Sequence, residues 1–216
     1  MDHVINTPEK LISALVELYF SARNTRFRSP NVLRGRSHSV SAEFEDLFAH
    51  YLSNCMANDY SFYVDQPISI SDSDLNTQYP DILILKNGIA SHLIDIKMDN
   101  GWNRHGLDEF LNKKEDLMDK YSSREFKYNE VVNNKKIRKL ANFSNKITYH
   151  VVFATSANGT NDLVSKVNDI KLKNVKAYVL TEKTHPNEYD MDKDLLLEEI
   201  SIRNDEFVRL LKELNS

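Results

Sequence analysis

Residues 79–85 read Tyr-Pro-Asp-Ile-Leu-Ile-Leu, and residues 93–97 read Leu-Ile-Asp-Ile-Lys. Both runs are almost entirely aliphatic and are separated by turn residues, which is typical of a hairpin whose strands are buried on both faces. Three charged residues interrupt the pattern at the end away from the turn, namely Asp81, Asp95 and Lys97. Because unpaired charges are costly to bury, we expect these side chains to pair or to hold a metal ion for hydrolysis.

The turn decides whether these charges lie on one face of the hairpin. Side chains alternate along a strand, so Asp95 and the lysine two residues later share a face. If residues 86–88 form a three-residue loop with Gly88 at positive φ, Asp81 lies opposite Leu93 and diagonal to Asp95, at about 7–8 Å. A strict two-residue turn would put the two carboxylates on opposite faces. A shared site therefore requires an odd-numbered loop or a bulge.

At these residues the chain resembles the PD-(D/E)xK nuclease superfamily, which has the restriction-endonuclease-like fold. Pro80-Asp81 matches the first half of the motif, and Asp95-Ile96-Lys97 matches the second half. The resemblance implies a Mg²⁺ ion, replaceable by Mn²⁺, held by Asp81, Asp95 and the carbonyl of Ile96. It also implies that Lys97 orients or deprotonates the attacking water. A hard cation with oxygen ligands acidifies a bound water and stabilises the transition state at phosphorus.

A competing interpretation of the same residues is structural. In it, Asp81 caps the beginning of a strand, and Asp95 forms an exposed ion pair with Lys97. No phosphate-binding loop, nucleophile elbow or zinc-protease helix motif in the sequence offers a different chemistry.

A helix that precedes the hairpin is expected to supply a third acid, as the resemblance implies. Apolar residues recur there at helical spacing after Ser41, which is the predicted N-cap; they are Phe44, Leu47, Phe48, Tyr51, Leu52 and Cys55. Glu45 lies at the edge of this stripe, and Glu43 lies further around the helix. We predict Glu45 as the catalytic and metal-binding acid, with Glu43 as the alternative. A third possibility is that these acids only complement the helix dipole.

Composition predicts one intracellular domain. The chain has 216 residues, of which 41% are hydrophobic and 28% charged, as in ordinary globular proteins. Its single cysteine, Cys55, falls on the apolar helix face, so no disulfide framework is expected and a reducing cytoplasm is favoured. We identify no signal peptide and no membrane-spanning run, and we expect no membrane partner.

The net charge of −4 hides two acid-free basic segments. One lies between Tyr19 and Ser41, and the other covers residues 131–161. Because such segments can follow a phosphate backbone, we predict nucleic-acid contacts from both and from a loop after the hairpin. The residues chosen are Arg34, Arg36, Trp102, Asn103, Arg104, Lys135 and Lys136. Solvated loop or helix faces are the alternative for either segment.

The order of elements predicts an α/β fold, a three-layer α/β/α sandwich with a central mixed sheet of about five strands. One domain is divided into an N-terminal helix with an Arg-rich connector (1–40), a catalytic core (41–181) and an acidic C-terminal helical segment (182–216). Helices are predicted at about 8–23, 41–55, 107–121, 129–141, 162–170 and from 192 onward. Further strands are predicted at about 61–70, 147–155 and 175–181, with a loop at 71–74. His92 and His150 are predicted to be structural.

The function predicted from these features is that of a Mg²⁺-dependent endodeoxyribonuclease. We expect a restriction-type or phage-defence enzyme that acts on double-stranded DNA as a homodimer, because symmetric cutting of two strands needs two sites. The alternatives are a structure-specific repair or recombination nuclease, an inactive nucleic-acid-binding module of the same fold, and an enzyme with RNA as substrate.

Overall fold

The computed structural model describes residues 4–24, 31–70, 75–99, 101, 106–158 and 163–216. Within these ranges the helices are α1 (Pro8–Ala22), α2 (Ser41–Cys55), α3 (Leu107–Tyr121), α4 (Leu163–Asp169), α5 (Lys193–Glu199) and α6 (Asn204–Leu214). The strands are β1 (Tyr60–Val64), β2 (Ser69–Ile70), β3 (Ile82–Lys86), β4 (Ile89–Lys97), β5 (Glu125–Val132), β6 (Lys135–Phe153), β7 (Val175–Val179), β8 (Thr181–Lys183) and β9 (Ile200–Ile202).

Seven of these strands form one mixed sheet, in the order β1-β3-β4-β6-β5-β2 with β7 also paired to β6. The pairs β4–β6 and β6–β7 are parallel, whereas the other pairs in the sheet are antiparallel. The predicted α/β class with a mixed sheet is confirmed, and the sheet is larger than the five or so strands expected. Strands β8 and β9 form a separate antiparallel pair.

The hairpin of β3 and β4 has a different turn from the predicted one. Asn87 and Gly88 form a two-residue turn with φ of 51° and 81°, and the three-residue loop is therefore wrong. The register then shifts between the pairs Leu85↔Ala90 and Ile84↔His92, which leaves Ser91 without a partner on β3. This one-residue bulge restores the shared face.

Two apolar clusters cover the sheet. The first contains side chains from α1, α2, α5 and α6 together with Ile84 and Ile94 of the central hairpin. The second contains side chains from α3 and α4 together with Leu83 and Leu93. Because neighbouring residues of one strand alternate between the clusters, both faces of the hairpin are buried, as its aliphatic runs predicted.

The basic segment at residues 129–141 is not the predicted helix. It belongs to the long antiparallel hairpin of β5 and β6, in which Val132 pairs with Lys135 across the turn residues Asn133 and Asn134. Both asparagines have positive φ, 51° and 61°, a conformation that asparagine tolerates better than most residues. The Asn-Asn pair was the turn signal that the helical interpretation overlooked.

Most of the predicted helices are confirmed, with some differences at their ends. Helix α1 begins after Thr7, whose hydroxyl accepts the backbone N–H of Lys10 at 3.4 Å, as predicted. Helix α2 begins at Ser41, but its cap position is Val40 and makes no side-chain cap bond, so the predicted serine cap is wrong. The C-terminal helix is interrupted by β9 and becomes α5 and α6. No helix in the described ranges is long and apolar enough to cross a membrane.

Candidate active site

Two aspartates and a lysine meet at the end of the central hairpin. Ile82 pairs with Ile94, and continuing this register by one residue puts Asp81 opposite Asp95, whereas the sequence predicted a diagonal arrangement. The Lys97 ammonium lies 3.5 Å from Asp95 Oδ2 and 3.9 Å from Asp81 Oδ2. The hairpin therefore brings the three charged motif residues together.

Both carboxylates lie away from bulk water, Asp95 more so than Asp81. Asp95 is 6% exposed, so the alternative of an exposed ion pair does not describe it. The Asp81 carboxylate accepts the backbone N–H of Ile96 at 2.5 Å across the hairpin. Burial raises the pKa of Asp81, the bond from Ile96 opposes that rise, and the nearby charge of Asp95 adds to it. A cation placed between the two carboxylates would offset this rise, because it would counter the charge of Asp95 and stabilise the ionised form of Asp81.

A second lysine, which the sequence did not point to, contacts Asp95 from α3. Lys114 Nζ lies 3.5 Å from Asp95 Oδ2 and 2.6 Å from the hydroxyl of Tyr149, and it also lies over the Tyr149 ring. Burial lowers the pKa of Lys114, and the charge of Asp95 acts in the opposite direction. Burial and Asp95 raise the pKa of Tyr149. In the sequence, the only feature that pointed toward this contact was the apolar run of β6, which contains Tyr149. That run predicted a buried strand, but it did not predict that the strand lies beside β4.

Glu45 reaches the same strand end from α2. Burial raises its pKa from 4.5 to about 7, with further contributions from the charges of Asp81 and Asp65, while Lys97 acts to lower it. Asp65 follows β1, and its backbone N–H donates to the carbonyl of Asp81 at 2.9 Å. Glu43 is exposed and lines a different cavity, between α1 and the start of α2. The structure thus brings Glu45 toward the motif residues and leaves Glu43 outside.

The donor set at this strand end suits a hard cation. Carboxylate oxygens from two opposed strands are the kind of ligand that Mg²⁺ prefers, and it retains several waters besides. Among the described residues, no group of three or more histidine, cysteine, aspartate or glutamate side chains converges as a ready-made metal cluster. Two strand carboxylates with Glu45 nearby therefore fit a sparse, water-rich magnesium site, and they do not fit a closed structural zinc site.

The predicted nucleic-acid contacts that fall in the described ranges lie in two places. Arg34 and Arg36 are exposed on the connector before α2, and Lys135 and Lys136 are exposed at the tip of the β5–β6 hairpin. The remaining predicted contacts, Trp102, Asn103 and Arg104, lie outside the described residues.

The first arginine of the connector has a structural role. Arg23 donates to the carbonyl of Glu188 at 2.6 Å and lies over the rings of Phe20 and Tyr189. It therefore links α1 to the acidic C-terminal segment.

Two buried histidines lie on the opposite face of the sheet from the aspartates. A ring nitrogen of His92 is 3.0 Å from one of His150, whose other nitrogen is 3.1 Å from the Tyr178 hydroxyl. Burial lowers the pKa of both histidines, that of His92 to about 4, so both are neutral at pH 7. The prediction that they are structural agrees with their place in the core.

Comparison with protein-family models, with curated proteins and with solved structures finds no match.

Proposed function

We propose that this protein is a Mg²⁺-dependent endonuclease of the PD-(D/E)xK type. The observation that carries the proposal is the opposition of Asp81 and Asp95 on one face of the hairpin, with Lys97 within 4 Å of both carboxylates. Such charges are costly to bury unless they are paired or bind a metal ion. Two carboxylates beside a lysine suit the hydrolysis of a phosphodiester bond.

The arrangement of helices favours the restriction-endonuclease-like fold as part of the same proposal. Helices α1 and α2 belong to one apolar cluster and α3 and α4 to the other, as in a three-layer α/β/α sandwich. The mixed sheet, the antiparallel hairpin of β3 and β4 and the parallel pair β4–β6 fit that architecture.

Each residue has a distinct role in the proposed reaction. Asp81, Asp95 and the carbonyl of Ile96 would hold the Mg²⁺ ion, which when bound supplies Lewis acidity to the attacking water and to the phosphate. Lys97 holds the water in line and offsets the charge that develops on the phosphate. Glu45, with a pKa of about 7, can accept a proton at neutral pH.

Lys114 and Tyr149 act on the site without touching the phosphate. The ammonium of Lys114 lies between the Asp95 carboxylate and the Tyr149 hydroxyl. Lys114 and Tyr149 together therefore fix the orientation of Asp95. A carboxylate held in one rotamer loses less entropy when it binds a cation.

The substrate that we propose is double-stranded DNA, cut in a restriction or phage-defence role by a cytoplasmic homodimer. Arg34 and Arg36 on the connector and Lys136 at the tip of the β5–β6 hairpin are basic and exposed, which supports a polyanionic substrate. A dyad would place two sites on the two antiparallel strands of a duplex.

The test is incubation of purified protein with plasmid and genomic DNA, in Mg²⁺ or in EDTA. The Asp81→Ala variant is the inactive partner, and Glu43→Gln is the control that removes an acid from α2 outside the site. We expect metal-dependent fragments with the parent chain and the control, and none with Asp81→Ala. Smeared products or cleavage of branched DNA alone would favour a structure-specific nuclease. Cleavage that survives Asp81→Ala would refute the proposed site.

A further inference from the structure

The β5–β6 hairpin extends beyond the body of the sheet as a two-stranded ribbon. Strand β6 pairs with β4 only from Asn142 onward, and β2 pairs with β5 only at Phe126 and Lys127. From Tyr128 to the tip, the named strand pairings of the two strands are with each other. We use "ribbon" for residues 127–140; its first pair, Lys127↔Leu140, is the base of the ribbon, where β2 also pairs with Lys127.

The ribbon has two unlike faces, because residues that pair across antiparallel strands point the same way. The inner face carries the pairs Tyr128↔Lys139, Glu130↔Ile137 and Val132↔Lys135. Tyr128 is buried against Tyr63, and Lys139 forms an ion pair with Glu130. The inner face is therefore attached to the core at its base, and one of its cations is already neutralised.

The outer face is basic. It carries the pairs Lys127↔Leu140, Asn129↔Arg138 and Val131↔Lys136. Each of these three pairs contributes one cation, and none contributes an acid. Lys136 and Arg138 are exposed, and the apolar residues between the cations, Val131 and Leu140, are 70% and 56% exposed.

We propose that the outer face of the ribbon docks in a groove of double-stranded DNA. A two-stranded ribbon fits the width of the major groove of B-DNA, which is about 12 Å. Lys136 and Arg138 can then reach the phosphates at the groove edge, and Asn129 with the apolar side chains faces the bases. The inference shares its DNA partner with the proposed function but does not depend on cleavage.

The strand length sets an upper limit on the distance between this contact and the aspartates. Asp95 pairs with Val151 of β6, and Arg138 lies thirteen residues earlier on the same strand. At about 3.3 Å per residue this is at most about 43 Å, the length of about 13 base pairs. The ribbon would therefore hold the duplex within about 13 base pairs of the bond at the hairpin end.

A second copy of the chain fits the ribbon less well than DNA. From Lys127 to Val131 the outer rows span about 13 Å, and two strands about 4.8 Å apart are together about 10 Å wide, so the face offers on the order of 130 Å². A stable protein interface needs about 800 Å² per partner. Three cations on such a small area suit a polyanion better.

The experiment compares two double variants that remove the same charge from opposite faces. Lys136→Gln with Arg138→Gln changes the outer face, and Lys135→Gln with Lys139→Gln changes the inner face. Affinity for a 30-base-pair duplex is measured by fluorescence anisotropy in EDTA, which stops cleavage, at several KCl concentrations. Each lost phosphate contact reduces the magnitude of the slope of log K against log salt by about 0.9. We expect this magnitude to fall by about 1.8 in the outer variant and by less than about 0.5 in the inner variant.

The outcomes separate this inference from the proposed nuclease. Equal slopes for the two variants, an unchanged slope for the outer variant, or no duplex binding by the parent chain would overturn the ribbon's role. If the parent chain cleaves DNA in a metal-dependent way but the two variants have equal slopes, the nuclease proposal is supported and the ribbon proposal is refuted. If the slopes are as expected but no cleavage occurs, the ribbon proposal is supported and the nuclease proposal is refuted. Sedimentation of both variants completes the test, because an outer variant that dissociates an oligomer would assign the face to a second copy.

Discussion

Replacing Glu45 by glutamine is expected to stabilise the metal-free protein at alkaline pH. The pKa of Glu45 rises from 4.5 to about 7 on folding, chiefly through burial and then through the charge of Asp81. The folded state therefore favours the neutral carboxyl group. Ionising Glu45 therefore reduces the stability of the folded state. This loss of stability is absent below the unfolded pKa of 4.5, grows as the pH rises towards 7, and stays constant above about 7.

The size of this effect follows from the shift. A rise from 4.5 to about 7 corresponds to about 3 kcal/mol in full. Because the side chain is only partly buried and water screens its charge, we expect about 1 kcal/mol. The Glu45→Gln variant should thus be about 1 kcal/mol more stable than the parent at pH 8, and most of the difference should disappear at pH 5.

Urea denaturation in EDTA at the two pH values measures this difference. Glu43→Gln is the matched control, since it removes the same charge from the exposed side of the same helix. Adding Mg²⁺ at pH 8 should stabilise the parent more than Glu45→Gln, because a ligand of the folded state raises stability in proportion to its affinity. Equal stability of parent and Glu45→Gln at pH 8, or a difference that does not change with pH, would refute the reasoning.

Three further changes test other parts of the structure. Lys97→Ala should retain DNA affinity within about threefold and lose at least about 100-fold in cleavage rate, since its ammonium acts in the transition state; equal losses in anisotropy and plasmid cleavage would contradict this. Lys114→Met should lower stability in EDTA by about 1–2 kcal/mol, because Asp95 loses a cation. Mg²⁺ should restore part of that loss, and identical losses in urea titrations with and without Mg²⁺ would argue against a metal at Asp95. Gly88→Ala should lower thermal stability by about 1 kcal/mol, because Gly88 has a φ of 81°; an unchanged melting temperature would contradict it.

The sequence predicted those parts of the fold that depend on local pattern. Continuous aliphatic runs indicated the two central strands, and the charged helix predicted at about residues 107–121 is α3, Leu107–Tyr121. The bulge at Ser91 has no local signal, because it depends on how β4 fits between β3 and β6. The ribbon was mistaken for a helix because its lysines mask the alternation of a strand that is exposed on both faces.

In the candidate site, too, some residues could be predicted from local sequence and others depend on the tertiary structure. Asp81, Asp95 and Lys97 were predicted because one hairpin carries all three. The resemblance implied an acid on α2, and helical geometry ranked Glu45 ahead of Glu43. Lys114 could not be predicted, because its contact with Asp95 requires knowing that α3 packs over β6 and β7 and that β4 lies beside β6. Contacts between distant segments need the tertiary structure.

The bulge in β4 also limits how this hairpin can change length during evolution. Inserting two residues in the turn would leave Asp81 opposite Asp95, since the side-chain pattern of a strand repeats every two residues. With the turn and the bulge unchanged, inserting or deleting one residue within either strand between them would turn one carboxylate away from the other. Homologous hairpins that keep both acids on one face should therefore differ in strand length by even numbers, unless the turn length changes or a bulge is gained or lost at the same time.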